Sequence, residues 1–107
     1  MKLRWTRRAE SQLLEIGRYI ARDKPGAARQ WVEELRRRAA RAAEHPLAGR
    51  KVPELDRPDL REVILRGYRI VYRVADDAIE VLTVFESHRL LRSALAASDL
   101  ETRTAGR

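Results

Sequence analysis

Three short alternating segments within residues 59–85 constrain the fold more than any other part of the chain. The stretch DLREVILRGYRIVYRVADDAIEVLTVF is interrupted at Gly67 and again at Asp76-Asp77, which leaves candidate strands at residues 60–65, 69–74 and 79–85. Aliphatic, β-branched and aromatic residues that alternate with polar ones are typical of strands. Because such short turns join antiparallel neighbours, we predict a three-stranded antiparallel meander.

The alternation also predicts which side chains share a face of this sheet. In the last strand it places Ile79, Val81, Thr83 and Phe85 on one face, opposite Leu82 and its alternating neighbours. One face must cover a helical layer. The other face is half-polar because it carries arginines, and we predict binding there.

The residues before the meander predict one strand and two helices. Residues 2–5 alternate, and Thr6 is placed to cap the first helix. Apolar residues then recur at helical spacing, and Gly17 among them predicts a close approach to a neighbouring element. Pro25 suits the first position of a second helix, so the two helices form a hairpin.

The fold class that follows is α+β: an N-terminal strand, a helical hairpin, one small sheet packed on the hairpin, and a short C-terminal helix capped by Ser87. Between the second helix and the meander, Pro46, Pro53 and Pro58 predict a long irregular loop, and loops of that length often bind partners. We predict a single domain at residues 1–97 and a flexible tail at residues 98–107.

The composition limits the kinds of covalent link, metal site and nucleophile that the chain can contain. The 107 residues include no cysteine, which excludes disulfides, thiolate zinc sites and cysteine nucleophiles, and no His/Asp/Glu spacing indicates a metal site. We therefore predict no cofactor and no metal. No apolar run is long enough for a membrane span and no signal peptide is recognisable, so the predicted location is the cytoplasm.

The net charge of +7 implies attraction to something acidic. A nucleotide bias in the source genome would explain the arginine excess equally well. The run Arg36-Arg37-Arg38 is most simply a solvated helix face, with Glu33 paired to Arg37 and Glu34 to Arg38. No DNA-reading motif is present, so direct sequence-specific binding to nucleic acid is not predicted.

Candidate catalytic residues are few. His45 ends the second helix, where a structural role is favoured. If the substrate were RNA, the reaction would need a base, an acid and cations on the phosphate. Weak candidates for such a site are Arg61, Arg66, His88 and Arg89.

The order of these segments resembles the RelE/ParE superfamily of type II toxin-antitoxin toxins. The resemblance covers roughly residues 2–91. It is carried by RWTRRAESQLLEIGRYIARDKPGAARQWVEEL, which is similar to the first strand and hairpin of the ParE branch, and by HPLAGRKVPEL followed by LREVILRGYRIVYRVADDAIEVLTV. RelE-type members cleave messenger RNA on the ribosome with basic residues and a C-terminal tyrosine. No tyrosine occurs between His88 and Arg107, which favours the ParE branch.

The resemblance to the ParE branch implies a toxin that interferes with DNA gyrase and is more a binding protein than an enzyme. The alternatives are a RelE-type endoribonuclease and a plain binding module of the same fold. It also implies a ParD-like antitoxin as partner in a hetero-oligomer. Candidate contacts are Leu14 and Trp31 as apolar anchors, with Arg18, Arg37, Arg69 and Arg73.

Overall fold

A helical hairpin covers one face of a five-stranded sheet in the computed structural model, which describes residues 1–89 and 91–95. The elements are β1 (Lys2–Trp5), α1 (Arg7–Asp23), α2 (Pro25–Glu44), β2 (Arg50–Lys51), β3 (Leu60–Leu65), β4 (Tyr68–Val74), β5 (Ala78–Glu86) and α3 (Leu91–Ala94). The predicted α+β fold is confirmed. The predicted tail at residues 98–107 lies outside the described residues, and the domain boundary stays a prediction.

The sheet has the strand order β1-β5-β4-β3-β2. Strands β3, β4 and β5 form the predicted antiparallel meander, and β1 runs parallel to β5 at one edge. The opposite edge is the two-residue strand β2, antiparallel to β3. The sequence prediction missed β2 because the prolines on either side of it indicated only irregular chain.

A bulge in β5 changes which residues share a face. Val71 pairs with Thr83 but Tyr72 pairs with Val81, so Leu82 is an extra residue in the ladder. The predicted alternation is therefore wrong beyond the bulge: Val84 packs in the hairpin-side core, and Phe85 packs with Leu82 in a cluster on the other face.

Local sequence signals explain the hairpin. The Thr6 hydroxyl accepts a hydrogen bond from the backbone N–H of Ala9, as predicted for a cap, and Pro25 occupies the first position of α2. A Cβ atom added at Gly17 would lie 2.9 Å from Val32 Cγ2, so this glycine permits close packing of the two helices. Leu13 and Leu35 are fully buried between the hairpin and the sheet.

The second face of the sheet is partly covered. Val52 and Leu55 from the loop after β2, together with Leu91 and Leu95 from the C-terminal segment, pack there around Phe85. The predicted short last helix is confirmed. It begins at Leu91, however, and the predicted cap Ser87 lies earlier, in the turn after β5.

Candidate partner-binding surfaces

An open groove runs between α1 and α2 on the outer side of the hairpin. It encloses about 500 Å³. It is lined by Leu14, Gly17, Arg18 and Ala21 from α1 and by Ala28, Arg29, Val32, Glu33 and Arg36 from α2. Its floor is apolar because small residues let the helices approach, and arginines surround it. The shape and chemistry suit an amphipathic helix with acidic residues.

Two features keep this groove available to a partner. Leu14 leaves 47% of its surface exposed, although leucine is usually buried. Within the described part of the chain, Arg18 and Arg29 make no ion pair, whereas Arg36 pairs with Glu10 and lies 5.4 Å from the Trp5 ring centroid. The groove therefore offers both apolar surface and uncompensated positive charge.

The predicted anchors do not share this groove. Trp31 lies on the other side of α2, where its ring meets the Tyr68 ring edge-on at 5.9 Å between centroids. The guanidinium of Arg66 lies 5.1 Å from the Trp31 centroid. Arg37 lines a separate hollow with Leu65 of β3. Leu14 and Arg18 thus form one surface, and Trp31 and Arg37 lie elsewhere.

Arg69 is held in the interior by carboxylates. Its Nη1 and Nη2 atoms donate to Glu54 at 2.7 and 2.8 Å, and its Nε atom donates to Glu62 at 2.7 Å. Glu62 is only 1% exposed and also accepts from Arg50 Nε at 2.5 Å. These hydrogen bonds lower the pKa of Glu54 and raise that of Arg69. Two positive and two negative groups balance, so the cluster is neutral.

The structure encloses two strand arginines that the sequence predicted as partner contacts. Arg69 is 6% exposed and donates to Glu54 and Glu62, so the free chain does not present it at the surface. Arg73 is also largely buried and forms an ion pair with Glu80, while its Nε atom finds no hydrogen-bond partner among the described residues. Alternation placed both residues on the correct face of the sheet, but it could not show that carboxylates and the loop enclose them.

The weak catalytic candidates are not brought together. Arg61 and Arg66 lie near opposite ends of β3, about 16 Å apart along the strand. Arg61 donates to the carbonyl oxygens of Pro58 and Gly49, which supports the loop, and Arg66 pairs with Glu34. Arg89 and His88 are exposed in the turn after β5. These residues provide positive charges, but the structure does not bring them together at one catalytic site.

Gln12 is a polar residue whose role sequence reasoning missed. Its Oε1 atom accepts hydrogen bonds from the Val84 N–H at 3.0 Å and from the Thr83 hydroxyl at 2.9 Å, and its Nε2 atom donates to the Ala94 carbonyl at 3.3 Å. It thereby links α1, α3 and the part of β5 that extends past the end of β1. Gln12 does not belong to the apolar pattern of α1, and no local signal identifies its distant partners.

A hollow of about 210 Å³ lies beside Gln12, between α1 and the end of β5. Tyr19, Tyr68 and Arg89 contribute to its lining. Burial raises the pKa of Tyr68, and the negative charge of Glu86 adds to this, so Tyr68 is a poor base at neutral pH. Across residues 1–89 and 91–95, no cluster of His, Asp and Glu could hold a metal ion, and no helix is long and apolar enough to cross a membrane.

The hairpin, the sheet and the open groove place the chain in the α+β class expected for RelE/ParE-type toxins. The family model described as ParE toxin of type II toxin-antitoxin system, parDE, matches residues 3–91. The chain belongs to this family of toxins.

Two known proteins are similar to it. A curated protein of Sinorhizobium fredii (strain NBRC 101917 / NGR234), described as "Putative toxin Y4kP", is 39% identical over 90 residues, which cover 82% of this chain and 90% of that protein. A solved structure described as "Chromosomal ParDE TA system from P. aeruginosa" matches with a TM-score of 0.70 and 22% identity, covering 80% of this chain and 95% of that one. At that identity the second match supports the shared fold.

Proposed function

We propose that a ParD-like antitoxin neutralises this toxin by occupying the groove between α1 and α2, and that the free toxin acts on DNA gyrase in the cytoplasm. The observation that carries the first part is the groove itself, with Leu14 exposed over an apolar floor. At its rim lie Arg18 and Arg29, which form no ion pair with any residue that the structure describes. An amphipathic helix buries its apolar face in such a groove and sets acidic residues against the arginines. Binding of the antitoxin in this groove forms a toxin-antitoxin hetero-oligomer.

The antitoxin part is tested by placing a charge in the groove. Leu14→Glu buries a carboxylate against the apolar face of the antitoxin helix, so we expect affinity to fall by about 10- to 100-fold, which corresponds to about 1.4 to 2.8 kcal/mol. The measurement is calorimetric titration with the ParD-like antitoxin that neutralises the wild-type chain in co-expression.

Leu47→Glu is the matched control because Leu47 is 67% exposed in the turn after α2 and does not line the groove. It introduces the same charge, and we expect unchanged affinity. Both variants must show wild-type circular dichroism. Equal affinities for Leu14→Glu and the wild type would exclude the groove as the antitoxin site.

The gyrase part is supported by the ParE family assignment and by the separation of Arg61, Arg66 and Arg89 on the surface. Action by binding requires only a surface, whereas RNA cleavage requires a base, an acid and cations around one phosphate. We therefore expect DNA synthesis to fail first after induction without antitoxin, and the purified toxin to inhibit supercoiling by purified gyrase.

The measurement is pulse labelling of DNA, RNA and protein synthesis immediately after induction, with the antitoxin-bound toxin as control in the supercoiling assay. Loss of messenger RNA before any loss of DNA synthesis would replace this proposal with a RelE-type endoribonuclease. Normal growth with a folded, antitoxin-binding chain would instead indicate a binding module that lacks toxicity.

A further inference from the structure

A row of basic residues lies on the side of α2 that faces β3, opposite the hairpin groove. Arg37, Arg38 and Arg41 make no ion pair among the residues that the structure describes. The sequence predicted that Glu33 would neutralise Arg37 and that Glu34 would neutralise Arg38. Instead Glu34 pairs with Arg66 at 3.3 Å and Glu33 lines the hairpin groove. The positive charge of these arginines is therefore not compensated by a neighbouring carboxylate of the described residues.

The row is concave as well as charged. One hollow of about 220 Å³ lies among Glu34, Arg37, Arg38, Arg41 and Leu65. A second, of about 130 Å³, is lined by Arg38, Arg41, Ala42, His45, Ala48, Gly49 and Val63. Arg38 and Arg41 line both hollows, and we call the four residues Arg37, Arg38, Arg41 and His45 the basic notch. Each hollow has room for several water molecules, and hence for a small anion.

Spacing aligns the notch along the helix. Arg37, Arg41 and His45 follow one another at intervals of four residues, so they lie in a row with about 6 Å between neighbours along the axis. Arg61 of β3 approaches from the sheet, where its Nη1 atom donates to the Gly49 carbonyl at 3.2 Å. Burial raises the pKa of Tyr72, and the positive charges of Arg61 and Arg38 both oppose that rise, so both charges reach the same region.

Two sources of negative charge oppose anion binding at the basic notch, and both are weak. Glu34 is the carboxylate found in the lining of the two hollows within the described residues, and Arg66 already pairs with it. The carbonyl groups at the end of α2 carry about half a negative charge, which also favours Arg41 in the last turn for helix stability alone. Three guanidinium groups outweigh that half charge.

The chemistry of the notch favours phosphates over a protein partner. Protein interfaces depend on large exposed apolar or aromatic anchors, as in the hairpin groove. The large apolar residues here are Val63, which is buried, and Leu65, which packs against the core, and the others are the small Ala42 and Ala48. Guanidinium groups bind phosphate oxygens bidentately and need no apolar centre.

We propose that the basic notch binds the sugar-phosphate backbone of duplex DNA without reading its sequence. The choice of duplex DNA rests on the proposed function, because gyrase holds duplex DNA and a toxin bound to it would lie beside that backbone. The notch and the hairpin groove are on opposite sides of α2, so the DNA contact is separate from the antitoxin contact. When three arginines contact phosphates, the binding affinity depends strongly on the salt concentration.

The test uses the purified chain and a short fluorescent duplex, with no gyrase and no antitoxin. Anisotropy between about 50 and 200 mM salt should give a logarithmic slope near −3, and micromolar affinity at low salt, for three phosphate contacts. Arg38→Gln/Arg41→Gln should reduce the slope to about −1 and weaken binding at least about 10-fold at low salt. Arg7→Gln/Arg22→Gln removes the same charge from α1, outside both the groove and the notch, and should leave the slope near −3.

Equal losses in the two double variants would overturn the proposal, because the attraction would then come from net charge alone. No binding of the wild type at low salt would overturn it too. Tighter, notch-dependent binding to duplex RNA would assign the surface to RNA. In the separate calorimetric titration with the antitoxin, a loss of affinity in Arg38→Gln/Arg41→Gln would assign the surface to the antitoxin. Failure in this assay leaves gyrase inhibition and groove binding untouched, so the two proposals fail separately.

Discussion

Arg69 shows how a single residue organises the second face of the sheet. Its guanidinium joins Glu54 of the loop to Glu62 of β3 and lies 5.2 Å from the Phe85 ring centroid. One side chain thus ties a loop to two strands and packs on an aromatic ring. Because the pair Arg69–Glu62 is buried, removal of one partner leaves a charge without compensation in the interior.

We expect Arg69→Met to lower the free energy of unfolding by about 3–5 kcal/mol, because Glu62 would keep only the exposed Arg50 as partner. Urea denaturation at neutral pH measures this. Adding Glu62→Met should restore most of the loss by removing the isolated carboxylate, while Arg50→Gln as control should cost less than about 1 kcal/mol. Additive losses in the double variant would show that the two side chains are not coupled.

Buried charged residues with partners distant in sequence, such as Arg69, cannot be fully predicted from the sequence. The alternation in β4 placed Arg69 on the correct face, but its partner Glu54 lies in a proline-rich loop with no periodic pattern. A glutamate inside the apolar strand β3 was the one available signal that a cation would be buried beside it. Leu14, by contrast, was predicted as an exposed apolar residue on α1, and the structure places it at the open groove.

At the scale of the elements, the hairpin depends on how closely its helices approach at Gly17. Alanine there improves helix propensity, but its Cβ atom would meet Val32 Cγ2 at 2.9 Å, and a β-branched side chain adjusts poorly. We expect Gly17→Ala to lower the free energy of unfolding by about 1 kcal/mol, measured by thermal denaturation.

Whether Gly17→Ala stabilises or destabilises the protein depends on the side chain at position 32. In Val32→Ala the same substitution should become stabilising by about 0.5–1 kcal/mol, because only the propensity gain remains. Gly26→Ala is the control, since a Cβ atom at Gly26 meets nothing within 4 Å, and it should stabilise α2 slightly in either background. An identical effect of Gly17→Ala with and without Val32 would refute a packing role for this glycine.

Elements with strong local signals were predictable, and those defined by distant partners were not. The helical hairpin was predictable from the cap at Thr6 and the break at Pro25. The meander was predictable from alternating segments separated by the turn at Gly67. The bulge at Leu82 and the two-residue strand β2 arise from pairing with neighbouring strands, which no local pattern records. The bulge matters for the second core cluster because it turns Phe85 toward Arg69 and away from the hairpin.

For the molecule as a whole, the net charge of +7 and the apolar groove affect different stages of antitoxin binding. Long-range attraction acts before contact and accelerates association, whereas apolar burial acts only after contact and slows dissociation. If the antitoxin segment is acidic, as we propose, the association rate constant should fall by at least about 10-fold when ionic strength rises from low to physiological values.

Stopped-flow measurements across ionic strength separate the two stages. Leu14→Glu should mainly raise the dissociation rate constant and leave the salt dependence of association nearly intact, because one charge changes in a total of +7. Arg7→Gln/Arg22→Gln should show the opposite behaviour, with slower association at low salt and nearly unchanged dissociation. An association rate that does not vary with salt would mean that the positive charge does not attract the antitoxin, and it would leave phosphate binding at the basic notch as the stronger explanation for the excess of arginine.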